Sequence, residues 1–299
     1  MKNSKLYFLL CYLSCCAIFH TTTFARSYDD IIDSQSIAIA IYDNFAPFSY
    51  QEKGQNKGID VDVAKHIAKQ LGVELQLRWM SAGENVEGDL RNNLWKGDLI
   101  NRTVADLMLR TPYDKNYSML RDDVGLLVHE QVHMFAPYHT ESWQIIFNRK
   151  KIDAVPTMAI FQYHDIGVEV DSIPQFYLLS AFNGRMRNRA KHFSSIPLAL
   201  VAMQTGKVDA VMGLRSQITH HQQQLSNTDF QLATNAFPMI GRQQWDIGMA
   251  VKKDYRQLSY AVADIVEAMI QQGIMQQIFA KYHVHYQTPS LYHPYSHTK

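Results

Sequence analysis

Between residues 36 and 80 the apolar and polar positions change period twice. Ile37, Ala38, Ile39, Ala40 and Ile41 form an unbroken apolar run, the pattern of a strand buried on both faces. Pro47, set among the aromatics of residues 42–48, stops it. From Gly58 the spacing becomes helical. Ile59, Val63, Ile67 and Leu71 recur every fourth residue, Val61, Ala64 and Ala68 widen the stripe, and Gly72 stands where a helix C-cap belongs. Val73, Leu75, Leu77 and Trp79 then alternate with polar residues, the period of a second strand. Strand, loop, helix and strand make a βαβ unit, and ligands in such sheets bind beyond the carboxyl ends of the strands, here at residues 45–48.

Further along, Leu90, Leu94 and Trp95 have helical spacing, and residues 104–109 read as a third strand after an expanded turn at 97–103. Residues 143–147 and 166–170 read as strands, the latter followed by Ser172 as N-cap and Pro174 in the first helical turn. Residues 198–212 repeat the order seen at 94–108: apolar helix, glycine turn, Val-Asp-Ala strand. A strand over 245–251 and an amphipathic helix pair over 259–282, broken near Gly273, close the pattern. The Pro-, Tyr- and His-rich stretch after His285 predicts a loosely ordered tail.

Phe45-Ala46-Pro47-Phe48 followed by Gly58-Ile59-Asp60-Val61-Asp62-Val63-Ala64 resembles the opening of the family 3 periplasmic solute-binding proteins, and the order of the later segments extends the resemblance over roughly residues 36–283. The resemblance implies an α/β, two-lobed type II periplasmic binding protein, each lobe a mostly parallel sheet flanked by helices and the two joined by crossing strands. Lobe 1 would combine residues 27–141 with 242–288, lobe 2 would span 142–241, and 289–299 would be a flexible tail. Such receptors bind mostly polar amino acids and serve ABC importers. A small-molecule ligand, an inner-membrane ABC permease as partner and a monomeric state are therefore expected, with no cofactor, no nucleic acid and no enzymatic step.

The resemblance also implies a cleft built from four loops. Phe45 matches the aromatic that stacks on the ligand, with Asp43 beside it; Phe48 reads as core. Arg110 and Thr111 end the third strand, Asp171 and Ser172 start a helix whose free N–H groups suit an anionic group, and Arg215 follows the strand of lobe 2. Amino-acid receptors of the family grip the α-carboxylate with an arginine a few residues beyond that threonine, where this chain has Lys115. They hold the ammonium with an aspartate near Leu214, where it has Gly213-Leu214-Arg215. With both anchors displaced, Arg110, Arg215 and the Ser172 helix start favour a small anionic solute over an ordinary amino acid.

Composition narrows the setting. The 299 residues carry a net charge of +1, which gives no electrostatic case for nucleic acid or an anionic membrane surface. Lys2 and Lys5, the mostly apolar stretch 6–19 and Thr23-Phe24-Ala25 read as a secretory signal cleaved after Ala25, which places the protein in the periplasm. Its removal takes two lysines and no acid, leaving a net charge of −1. All three cysteines (Cys11, Cys15, Cys16) lie in that signal, so the mature chain has no disulfide, thiol nucleophile or cysteine metal site; Leu13-Ser14-Cys15 fits a lipobox poorly.

Other functions leave traces too. His129-Glu130-Gln131-Val132-His133 matches the HExxH zinc-peptidase motif, but Pro137 ends any helix within a turn and no third ligand is in view. The tail histidines, His283, His285, His293 and His297, lack a Cys or carboxylate partner. Among relatives of this fold are accessory or sensory modules and dehydratases; for the latter Asp43 and Asp171 are the cleft carboxyls available. The chain ends near the end of the binding fold, so no fused transglycosylase domain is expected.

Overall fold

The computed structural model describes residues 25–98, 102–223, 225 and 229–293. The expectations for the signal (1–24) and its cysteines, and for residues 294–299, lie outside the described residues.

After a capped first turn, α1 (Tyr28–Asp33), the chain enters β1 (Ser36–Tyr42). The unbroken apolar run has the predicted cause. Ile37, Ile39 and Ile41 face one layer with α2 (Ile59–Leu71), while Ala40 faces the other with Leu90 and Leu94. A short polar hairpin, β2 (Tyr50–Glu52) and β3 (Gln55–Lys57), precedes α2. Ile59, Val63 and Ile67 of α2 are fully buried, and each such side chain stabilises by about 1.5–3 kcal/mol. Gly72 closes the helix in the left-handed region with φ +72°. β4 (Glu74–Met80) then pairs parallel to β1.

The helical spacing at 90–95 becomes α3 (Val86–Leu90), which continues into a π-turn at Arg91–Trp95. β5 (Leu107–Tyr113) starts later than the predicted 104–109, because Asp106 is used otherwise. Its carboxylate accepts the Ala38 N–H at 2.8 Å and the Arg26 guanidinium at 2.6 Å. A single turn, α4 (Lys115–Ser118), follows.

β6 (Val132–Asn148) is the long strand of the molecule. Its first part pairs antiparallel with β11 (Gln244–Lys252), from Lys252 opposite Val132 to Gln244 opposite Ser142. From Trp143 onward its partner is β9 (Ala210–Leu214). β6 thus passes from one sheet half to the other between Ser142 and Trp143. In the second half β9, β7 (Ile166–Glu169) and β8 (Ala190–Phe193) are mutually parallel, flanked by α5 (Ile173–Gly184), α6 (Ile196–Gln204) and α7 (Arg215–Gln222). β10 (Phe230–Leu232) edges β6, and the chain returns through residues 233–243 to β11. α8 (Arg256–Gln271) and α9 (Ile274–Lys281), separated at Gly273, pack back on the first core. The complete strand order is β4-β1-β5-β11-β6-β9-β7-β8. Two α/β lobes with separate cores, joined by two crossings, are the result.

Loose ordering was expected after His285, yet residues 286–293 follow the junction. The Gln287 and Thr288 carbonyls accept from Thr140, and Ser290 Oγ donates to Asp246.

Candidate functional site

Three of the four segments that the sequence singles out follow the carboxyl ends of β1, β7 and β9, whereas Arg110 and Thr111 lie inside β5, which runs on to Tyr113. Phe45 is half-buried against Tyr42 and Phe48, while Phe48 is fully enclosed in the core. Arg110 is brought to both rings, with its guanidinium carbon 3.4 Å from the Phe48 centroid and 5.3 Å from that of Phe45. A β-bulge puts it there. Gly248 pairs with Thr111 and Met249 with Leu109, which leaves Arg110 unpaired at φ +59°. Its Nη1 lies 3.8 Å from Oδ2 of the buried Asp60, whose Oδ1 accepts the Tyr138 hydroxyl at 2.8 Å. Burial raises the Asp60 carboxyl to about 6 against the pull of Arg110 and Tyr138. Arg110 therefore faces into lobe 1. Thr111 is wholly buried beside it, and Asp43 accepts from Ser81 Oγ at 3.2 Å, apart from this group.

Asp171 and Ser172 shape the start of α5. Asp171, at φ +59°, gives its N–H to Gln175 Oε1 at 2.7 Å; Ser172 Oγ donates to the Glu169 carbonyl at 2.6 Å and accepts from Gln175 N at 3.3 Å. Arg215 is the first residue of α7, and its Nη2 donates to the Thr140 carbonyl at 3.3 Å. Of the seven predicted residues, only Phe45, Arg110 and Thr111 come together, and the two arginines have internal partners.

A second polar group at the lobe junction is absent from the sequence expectations. Glu141, fully buried, accepts the backbone N–H groups of Ser142 (3.0 Å) and Ser216 (3.3 Å) through Oε1 and so caps α7. His139 Nε2 lies 3.1 Å from Ser216 Oγ and 3.7 Å from Glu141 Oε2. Burial opposes charge on Glu141, but His139, Arg110 and the Ser142 N–H outweigh it and hold the carboxyl below its usual value. Burial likewise lowers His139. The sequence carries a signal for this group: His139, Thr140, Glu141 and Ser142 are consecutive polar residues between the apolar runs 134–138 and 145–147 of β6.

Between the lobes lies a cavity of about 460 Å³. Tyr117 and Leu120 reach it from lobe 1, Ile173 and Ile240 from lobe 2, and Trp143 and Trp245 from the two crossings. The two indoles are 4.6 Å apart at 48°, and Trp143 Nε1 donates to the Arg242 carbonyl at 3.0 Å. Two of the three charges at its wall pair with each other, and the third, Asp246, is met by hydroxyls. Arg242 Nη1 is 2.7 Å from Asp114 Oδ2, and Asp114 Oδ1 caps α4 through Tyr117 N at 2.8 Å. Asp246 accepts from Thr140 Oγ1 and Ser290 Oγ.

The HExxH stretch forms a turn running into β6 rather than a helix, so the spacing of its histidines does not put them on one face. His129 packs on Tyr117 with centroids 4.4 Å apart, and His133 stacks on Phe135 at 5.9 Å. Among the described residues no cluster of three or more His, Cys, Asp or Glu side chains is placed to hold a metal.

Two α/β lobes, two crossings and a cavity between them give the type II periplasmic-binding-protein fold. Within it, residues 37–100, the opening βαβ unit and the segment after it, match the model of the bacterial extracellular solute-binding proteins, family 3. Solved structures of the same fold include an ancestral cationic amino acid solute-binding protein (17% identity, TM-score 0.65, covering 86% of this chain and 99% of that one). An amino acid ABC transporter substrate-binding protein from Streptococcus pneumoniae, bound to L-arginine, aligns at 19% identity and TM-score 0.62 over 86% and 98% of the two chains. In sequence, the membrane-bound lytic murein transglycosylase F of Actinobacillus succinogenes is 21% identical over 267 residues, covering 87% of this chain and 49% of that protein. The chain thus spans about half the length of this curated relative. Among the described residues no helix is long and apolar enough to cross a membrane.

Proposed function

We propose that the protein is an exported receptor that captures a small solute in the interlobe cavity and delivers it to an ABC-type importer. The observation that carries this reading is a cavity walled from both lobes and both crossings, where hinge closure would enclose a ligand without covalent chemistry. The family match over the opening βαβ unit, and neighbours described as transporter receptors, support the transport role. Export with cleavage after Ala25 fits the position of Arg26. Its backbone nitrogen is 3.1 Å from Asp106 Oδ1, so a new α-ammonium there would join the guanidinium on one carboxylate. The anionic preference read from Arg110 and Arg215 is not retained, because Arg110 is buried against Phe48 and Asp60 and neither arginine lines the cavity.

Thermal unfolding against amino acids, organic acids, sugars and uncharged aromatics tests the reading. A ligand at 100 times its Kd adds about 2.7 kcal/mol, a midpoint rise of roughly 5–10 °C for a chain this size. Silence across the panel would instead favour a role in docking to another protein.

A further inference from the structure

With the interlobe cavity taken as the ligand site, its lining also specifies the ligand. A zwitterionic solute needs one unpaired cation and one unpaired anion, because burying its charges without partners is expensive. Arg242, the cation among the lining residues, is already paired with Asp114 at 2.7 Å, and Asp246 accepts from the hydroxyls of Thr140 and Ser290, so among the described residues no free cation faces the cavity to hold a carboxylate. Neither Arg110 nor Arg215 lines this cavity: Arg110 lies on Phe48, 3.8 Å from Asp60, and Arg215 donates to the Thr140 carbonyl. What remains is ring surface and aliphatic surface. Trp143 directs its indole N–H to the Arg242 carbonyl, leaving carbon faces to the cavity beside Trp245. Leu120 and Ile173 stand on opposite lobes, each about half exposed (48% and 56%), apolar surface that an enclosed apolar ligand would cover. Asn116 supplies a neutral donor and acceptor at the wall.

We propose that the cavity takes an uncharged solute with a flat body of one or two rings, packed against Tyr117, Trp143 and Trp245, its polar substituent met by Asn116. A cavity of about 460 Å³ has room for such a body.

Calorimetric titration of the purified protein with indole and 4-methylphenol, against L-arginine, L-tryptophan and benzoate, tests this. The uncharged rings should bind at least about tenfold more tightly than the charged solutes. Tyr117→Ala, or Tyr117→Leu if the alanine variant does not fold, should weaken them about tenfold through loss of ring contact. The double variant Asp114→Asn, Arg242→Gln removes the ion pair of the wall and should weaken the rings less than Tyr117→Ala does. Tighter binding of an amino acid, lost in the double variant, would mean that the ion pair opens to hold a zwitterion. The receptor reading would then stand and this ligand class would fall. Binding of indole unchanged by both Tyr117 variants would place it elsewhere and overturn the assignment, and failure of every solute at millimolar concentration would overturn the assignment together with the receptor reading.

Discussion

Asp60 sits in the first turn of α2, fully buried, facing the Arg110 guanidinium at 3.8 Å and the Tyr138 hydroxyl at 2.8 Å. Its carboxyl is raised to about 6 from an ordinary value of 3.8, with burial as the largest cause. A carboxyl raised in the folded state binds its proton more tightly there than in the unfolded chain. Its contribution to stability is therefore complete below about pH 4 and is lost as pH rises through 6. Denaturant unfolding should show the gap between Asp60→Asn and the parent shifting in favour of the variant by about 2 kcal/mol from pH 4 to 7. A gap that stays constant would mean Asp60 remains ionised throughout. Two residues earlier, Gly58 has φ +126° and gives its N–H to the Tyr282 hydroxyl at 2.9 Å. A Cβ there would lie 2.1 Å from the Phe48 carbonyl oxygen, which is backbone and cannot yield. Gly58→Ala should cost more than about 3 kcal/mol in the same assay, displacing the loop that holds Phe45 and Phe48.

At the scale of elements, the sequence was most readable where one face of a segment meets one core. The four-residue stripe of α2 and the apolar run of β1 were legible to within a residue; the repeated helix, glycine turn and strand of each lobe, seen at Gly97 and Gly206, was legible in order, with its strands starting two or three residues later and running on further than expected. The hairpin of β2 and β3 was not, because its residues are polar on both faces; its one signal is Lys53-Gly54, at φ +50° and +74°. The HExxH stretch was discounted in the sequence because Pro137 follows it, and it forms a turn and the start of β6, which pairs with β11. Zinc should accordingly leave the unfolding midpoint within about 1 °C, since no stabilisation arises without binding; a larger rise, absent in His129→Ala, would reinstate the motif. The polar residues at 139–141 were visible, but not the cap of α7 by Glu141, because residues 141 and 216 lie 75 positions apart and meet only once lobe 2 has formed. Glu141→Ala would remove the α7 cap and the His139 partner together, so a loss of about 3–5 kcal/mol is expected, with Glu141→Gln milder since its amide oxygen still accepts from Ser216.

At the scale of the whole molecule, the loops were legible as positions and not as chemistry. Strand order fixes where loops face each other, whereas a bulge at Arg110 decides whether a guanidinium meets a ligand or a core carboxylate. The wall of the interlobe cavity is drawn from residues 112 to 246, a span that no local pattern can assemble. One contact there ties the first turn after β5 to the returning crossing: Arg242 and Asp114, paired at 2.7 Å with the arginine about half exposed. Because water screens such a pair, its worth is at most about 1 kcal/mol, a factor of roughly five in the balance between closed and open lobes. Arg242→Ala should therefore enlarge the spread of interlobe distances measured by single-molecule fluorescence, with labels at the exposed Trp95 and Leu198 positions. Raising the salt to 1 M should move the parent protein toward the same distribution, since the Debye length falls to about 3 Å. If closure precedes capture, every ligand should weaken by the same factor of up to about five, since only the competent fraction binds. Unequal weakening would instead put the Arg242 side chain in contact with the ligand, and an unchanged distribution would leave the hinge itself, at Ser142 and Trp143, as the element that sets how far the lobes open.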